Sequence, residues 1–206
     1  MTTSHRILVI NVTRIGDTLL TTPVLRTLFA AWPDTKITFA GHKKRIEVLQ
    51  HLPFIHKLIT INKKIAPFLN HFSVHHYDIA IVYGNDASLI KYALRSSDKV
   101  IAFRQVSEKL NQKLFAIARE DGYKPAHAVT LNLTMIRPLK LIPTSMYISY
   151  KVTPKEDAWA KQLLKKQDIQ GNLLIALQVA SFYTKAHRDW TIENFIDLCQ
   201  QILPVY

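Results

Sequence analysis

The apolar positions of this chain fall into short blocks that alternate between two spacings. Ile79-Ala80-Ile81-Val82-Tyr83 is a near-continuous apolar run, the pattern of a strand covered on both faces in a parallel sheet. Ile7-Leu8-Val9-Ile10, Ile37-Thr38-Phe39-Ala40, Leu58-Ile59-Thr60-Ile61 and Val100-Ile101-Ala102-Phe103 are similar. They predict strands over residues 6–12, 36–40, 57–61, 78–83 and 99–103. Between them, Leu20, Val24, Leu25, Leu28 and Phe29 recur at helical spacing and predict a helix over 17–32. Pro23 falls inside it, so its first turn should be irregular or kinked, and Pro33-Asp34 ends it. Further helices are expected over 44–51, 65–72 (interrupted by Pro67) and 88–94. Strand and helix alternating in this way argue for βαβ units and a doubly wound α/β sheet.

Residues 110–119 and 128–136 read as helices packed beside that sheet. Pro138, Pro143 and Pro154 punctuate a less regular stretch that contains a strand-like run over 146–152. A domain boundary is expected here, with an N-terminal domain over 1–153 and a second segment over 154–206. That segment reads as an amphipathic helix over 155–167 closed by Gly171, and a strand over 172–178. A polar loop over 181–189 and a helix over 191–203 with Thr191 as N-cap follow. One strand, one loop and one helix do not make a domain, so the second segment is expected to be the start of a longer one, C-terminally truncated.

Composition narrows the class. With 48% hydrophobic residues and 10% aromatics, a chain of 206 residues is globular and can bury one full core and part of another. One cysteine, Cys199, excludes an internal disulfide partner and any CxxC site, and makes a reducing compartment the default. No secretory signal is evident, and no stretch reaches the ~18 apolar residues of a membrane span. The balance of 27 Lys+Arg to 15 Asp+Glu, +12, points to an anionic partner. The basic residues are scattered as Lys43-Lys44-Arg45, Lys63-Lys64 and Lys165-Lys166, with no nucleic-acid-binding motif. Phosphate or a membrane surface therefore ranks above nucleic acid. His71, His75 and His76 lack the Cys, Asp or Glu partners of a zinc site.

The candidate chemistry starts at Arg14-Ile15-Gly16-Asp17, directly after the first strand. Open α/β sheets bind ligands at the carboxyl ends of their strands, so Asp17 is either a ligand-edge carboxylate or a first-turn acid favoured by the helix dipole. Arg14 and Arg26 either meet the phosphates of a ligand or stand as solvated charges. Lys43-Lys44-Arg45 follows the second strand and has the same two readings. Asp86 reads chiefly as a helix cap. Trp190 and Phe195 read as packing residues. No G-x-G-x-x-G follows the first strand, which disfavours a dinucleotide enzyme.

Two segments carry a resemblance. The first is Arg14-Ile15-Gly16-Asp17, then Leu20-Thr21-Thr22-Pro23-Val24-Leu25-Arg26 and Trp32-Pro33-Asp34, ahead of the second strand. The other is Leu174-Ile175-Ala176-Leu177-Gln178, Ala180-Ser181, Lys185, Arg188, Trp190 and Phe195. Together they resemble glycosyltransferase family 9, the ADP-heptose:lipopolysaccharide heptosyltransferases. The second segment departs from the family pattern: it lacks a glycine near Val179, Thr191 stands where proline is expected after the tryptophan, and the basic residue two before Trp190 is Arg188 rather than lysine.

The resemblance implies a GT-B fold, with an acceptor-side Rossmann-like domain facing a nucleotide-sugar domain. It implies inverting transfer of heptose from ADP-heptose to the lipopolysaccharide inner core, without metal or other cofactor. In that scheme Asp17 is the general base, and Gly16 and Arg14 lie on the acceptor side, Gly16 also allowing a tight turn and close approach by a sugar. Thr184, Lys185 and Arg188 meet the donor phosphates. The implied partners are a nucleotide sugar, a lipid-linked anionic oligosaccharide and an anionic membrane surface. The implied location is the cytoplasm, at the inner face of the inner membrane. An inactive truncated paralogue that keeps only acceptor-side binding is the alternative.

Overall fold

In the computed structural model, which describes residues 5–72, 76–118, 127–167, 169, 173–179 and 189–204, the apolar runs pair as one parallel sheet of six strands. These are β1 (Arg6–Asn11), β2 (Lys36–Gly41), β3 (Lys57–Thr60), β4 (Tyr77–Val82), β5 (Ser97–Ala102) and β6 (Ala116–Ile117), in the order β3-β2-β1-β4-β5-β6. β1 lies between β2 and β4, with Ile7 opposite both Ile37 and Ile79. The sheet thus grows outward from β1 in two directions, and β1 and β4 flank the point where it reverses.

Ile7, Leu8, Val9 and Ile10 are all fully buried because successive side chains of a strand point to opposite faces and both faces are covered. Ile7, Val9, Ile37, Phe39 and Ile81 pack on one side with Val24, Leu25 and Leu28 of the helix α2 (Thr22–Ala31). Leu8, Ile10, Ala80 and Val82 pack on the other with Leu89, Ile90 and Ala93 of α5 (Ala87–Ser96). Each fully buried aliphatic side chain contributes about 1.5–3 kcal/mol, whereas an exposed ion pair contributes about 0–1 kcal/mol. The two apolar layers, not the surface charges, therefore hold this unit together.

Several expected elements differ. The helix expected over 17–32 is two helices, α1 (Ile15–Leu19) and α2, separated at Leu20 and Thr21. Pro23 has no N–H to give the Leu19 carbonyl, and the Thr22 hydroxyl donates to it instead at 2.7 Å. The helix expected over 44–51 is one α turn, α3 (Lys43–Ile46), continued as a 3-10 turn over Glu47–Leu49. Between β3 and β4 lies α4 (Ala66–Phe72).

The helix expected over 110–119 is a correction. Only α6 (Glu108–Asn111) is helical, and the chain then turns back to add β6 to the sheet edge. Asn111 ends the helix: its side chain accepts from Gln105 N–H at 2.8 Å and donates to the Gln105 carbonyl at 3.0 Å. The edge of β5 supplies backbone partners that local propensity cannot anticipate. After α7 (Ala128–Leu133) the chain tightens into a 3-10 helix, Thr134–Leu139.

Residues 146–152 form no strand. They are tied to α2 by Arg26, whose Nη2 donates to the Tyr147 carbonyl at 2.6 Å and to the Ser149 hydroxyl, and by Ser149 N–H donating to Thr22 Oγ1 at 2.8 Å. Arg26 is therefore spoken for by the chain itself.

The chain divides into two units, Met1–Val152 and Thr153–Tyr206. In the second, α8 (Pro154–Lys166) starts on a reciprocal cap: Thr153 Oγ1 accepts from Glu156 N–H, and Glu156 accepts back from Thr153 N–H at 2.7 Å. α9 (Ile192–Ile202) follows Thr191, which holds the N-cap position without a side-chain cap bond. Neither helix buries a residue. Residues 173–179 carry no strand pairing, against the strand expected over 172–178; Leu173, Leu174 and Ile175 are exposed. The apolar run has no neighbouring strand among the described residues, and a strand exists only as part of a sheet. Trp190 and Phe195 pack edge to face with centroids 5.2 Å apart. Gly171 lies outside the described residues.

Candidate active site

The loops that follow β1 and β4 flank the reversal of the sheet, where open α/β sheets leave a crevice for ligand. After β4, Tyr83 N–H still donates to the Ile10 carbonyl at 2.9 Å. Gly84 then turns the chain with φ +88°, a conformation side chains rarely adopt. Asp86 caps α5, accepting from Ser88 N–H at 3.0 Å and Leu89 N–H at 3.3 Å, and pairs with Lys63 at 3.2 Å. Its carboxylate is engaged, as the cap reading expects.

After β1 the loop is built around Asn11, which is only 3% exposed. Its Oδ1 accepts from Thr13 N–H at 3.0 Å and from the Thr13 hydroxyl. Beyond Asn11 the ladder with β2 stops, so the carbonyls of Val12 and Thr13 lose their strand partners. Arg45 replaces them: its Nη1 donates to both, at 2.8 Å each. β2 also approaches closely here. A Cβ on Gly41 would lie 2.6 Å from the Asn11 carbonyl oxygen and 2.6 Å from Ile46 Cγ2, so only glycine fits.

This frame delivers Asp17 in the first turn of α1. Asp17 Oδ2 accepts from Arg14 N–H at 3.3 Å, and Oδ1 accepts no hydrogen bond among the described residues. The side chain is exposed. It is thus a helix-start acid and a solvent-facing carboxylate at the sheet's carboxyl edge at once, one oxygen oriented by backbone and the other open. Such a group accepts a proton from a hydroxyl held within about 2.6–3.2 Å.

Gly16 is helical, and a Cβ there would meet nothing within 4 Å. The expectation that its glycine serves a tight turn is therefore corrected; what it leaves is open space beside Asp17. Arg14 lies at the N-cap of the same helix. Lys43 and Lys44 are exposed at the start of α3, while Arg45 is half-buried against the loop. Thr184, Lys185 and Arg188 lie outside the described residues, as do Ala180, Ser181 and His75. Among the described residues no three His, Cys, Asp or Glu side chains gather as a metal site requires, and no helix is long and apolar enough to cross a membrane.

Asn11 escaped the sequence reading as a member of this site, and Arg45, expected at this edge as a phosphate-meeting or solvated cation, is instead the donor to the loop's carbonyls. An asparagine ending a wholly apolar strand is a detectable signal, because a buried polar side chain needs partners. Arg45, 32 residues from the carbonyl it holds, carries no such signal.

The sheet order defines an α/β protein of the Rossmann-like kind, with the reversal of the sheet between β1 and β4 and the acid-bearing loop beside it. The comparisons with known proteins sharpen that class. No family model matches the chain. A curated relative, lipopolysaccharide heptosyltransferase 3 of Escherichia coli K12, is 26% identical over 161 residues, covering 71% of this chain and 45% of its own length. A glycosyltransferase family 9 structure from Veillonella parvula superposes with a TM-score of 0.80 at 20% identity, over 98% of this chain and 60% of that one. E. coli ADP-heptose lps heptosyltransferase II gives 0.69 at 17% identity, over 97% and 61%. The resemblance to glycosyltransferase family 9 therefore holds, and the fold is the α/β, GT-B type expected from it. The chain spans about half the length of the curated relative it matches.

Proposed function

We propose that this chain works as the acceptor-side part of an inverting, metal-independent glycosyltransferase that moves heptose from ADP-heptose to an anionic lipopolysaccharide core acceptor. What carries the reading is Asp17: a solvent-facing carboxylate beside the sheet reversal, with Oδ2 oriented by Arg14 N–H and Oδ1 open. Asp17 takes the proton from an acceptor hydroxyl as that oxygen attacks the anomeric carbon. The bond from that carbon to the diphosphate breaks, ADP departs with the electron pair, and the configuration inverts. Open space at Gly16 admits the sugar, and Arg14 stands on the acceptor side. Thr184, Lys185 and Arg188 are assigned to the departing diphosphate, where hydroxyl and cation replace a metal.

The relatives' names support the donor and acceptor classes. The charge of +12 suits a lipid-linked anionic acceptor and peripheral contact with an anionic membrane at the inner face of the inner membrane. A second reading, an inactive protein that keeps acceptor binding alone, draws on the absence of buried residues in α8 and α9.

A transfer assay with ADP-heptose and a heptose-deficient lipopolysaccharide core separates the two. Transfer by the wild-type chain that falls about 10²–10⁴-fold in Asp17→Asn supports the base. Near-normal transfer by Asp17→Asn removes it. Acceptor binding without any transfer favours the second reading.

A further inference from the structure

We infer that Arg45 is a positioning residue for Asp17, an inference that rests on Asp17 being the base. The Asp17 loop leaves the sheet at Asn11 and loses its strand partners there. Between Asn11 and the first helical hydrogen bond, Thr18 N–H to the Arg14 carbonyl at 2.9 Å, the carbonyls of Val12 and Thr13 take their hydrogen bonds from Arg45 Nη1, at 2.8 Å each. A charged donor makes the stronger kind of hydrogen bond. Arg45 brings it from a different βα connection, the short α3 that follows β2. Gly41 brings the two connections close enough for this reach.

The consequence is directional. Asn11 holds the loop from inside through Thr13 N–H, and Arg45 holds it from the α3 side. Together they lead the chain to the N-cap residue Arg14, whose N–H meets Asp17 Oδ2 at 3.3 Å. Removing Arg45 leaves the apolar layers of the sheet untouched but frees the two residues that lead into α1. Among the described residues Arg45 makes no hydrogen bond or ion pair with the Asp17 carboxylate; its guanidinium bonds go to the Val12 and Thr13 carbonyls, so it acts through the loop. Lysine does not substitute fully, since its ammonium is a point charge on a flexible stem rather than a fixed fork.

The test compares Arg45→Gln and Arg45→Lys with wild type. In Arg45→Gln, amide hydrogen exchange at residues 14–18 should quicken about tenfold or more while the central strands keep their protection. Arg45→Lys should recover part of that. In the transfer assay, kcat should fall by roughly 10–100-fold with KM nearly unchanged, because a displaced base costs rate rather than binding. Unchanged exchange at 14–18, or a kcat equal to wild type while Asp17→Asn is dead, overturns the inference. If wild type binds acceptor without transfer, the inactive reading is favoured, and exchange at residues 14–18 alone decides whether Arg45 holds the loop.

Discussion

Asn132 donates from its side-chain nitrogen to the carbonyl of Leu20 at 2.9 Å, joining α7 to the break between α1 and α2. The break exists because Pro23 cannot extend the helix backward. Asn132→Ala should destabilise the fold by about 1–3 kcal/mol, the cost of leaving a part-buried acceptor without its donor. Urea unfolding with an unchanged slope would report it; a midpoint equal to wild type would mean water replaces the amide without loss.

The two glycines at the ligand edge should behave oppositely. Gly41→Ala drives a Cβ to 2.6 Å from the Asn11 carbonyl and should cost about 1–3 kcal/mol, since backbone must move. Gly16→Ala meets nothing within 4 Å and lies in a helix, so it should leave stability equal or raise it by up to about 1 kcal/mol. The same Gly16→Ala should weaken acceptor use, because it fills the space beside Asp17. Thermal melts of both variants and the KM of Gly16→Ala check the pair.

Tyr83 is buried, and its hydroxyl finds no partner among the described residues. Burial pushes its pKa well above the ordinary 10.0, because the charged phenolate would lose its water. The unfolded chain ionises near pH 10 while the folded chain does not. Stability from this group is therefore whole below about pH 10 and falls as pH rises beyond it. Tyr83→Phe should be neutral or stabilising at pH 7 and should flatten the alkaline fall. Burial raises Tyr92 too, with Tyr77 adding to it, so some alkaline loss will remain. Unfolding midpoints between pH 7 and about pH 11 read the difference directly.

Arg26 ties residues 147–149 to α2. Arg26→Gln should leave the sheet's melting temperature close to wild type but expose the connecting segment. Limited tryptic cleavage at Lys151 should then quicken several-fold. Equal cleavage rates would show that the Thr22 and Thr27 hydrogen bonds to this segment, at Ser149 and Thr144, suffice.

The sheet's interior strands were legible in the sequence because their apolar runs are nearly unbroken and each ends at a glycine, a proline or a polar turn. α5 was legible with its cap, Asp86. The site was half legible. Asp17 stands out as the acid after the first strand, but whatever holds its loop does not. Asn11 is one polar residue at a strand end, and Arg45 looked like the last of three surface cations. The sequence misled over 110–119, which reads as a helix, yet the chain becomes β6 at Ala116–Ile117.

Local pattern determined that this is an α/β protein with its candidate base at the carboxyl end of the first strand, because burial on two faces and the glycine and proline stops are written into adjacent residues. Tertiary structure alone decided the strand order, the position of β1 and β4 at the reversal, the sixth strand and the Arg45 hold on the Asp17 loop. Each of these joins groups far apart in sequence, and unpaired backbone groups exposed at a strand end or sheet edge take whichever donor the folded chain brings within reach.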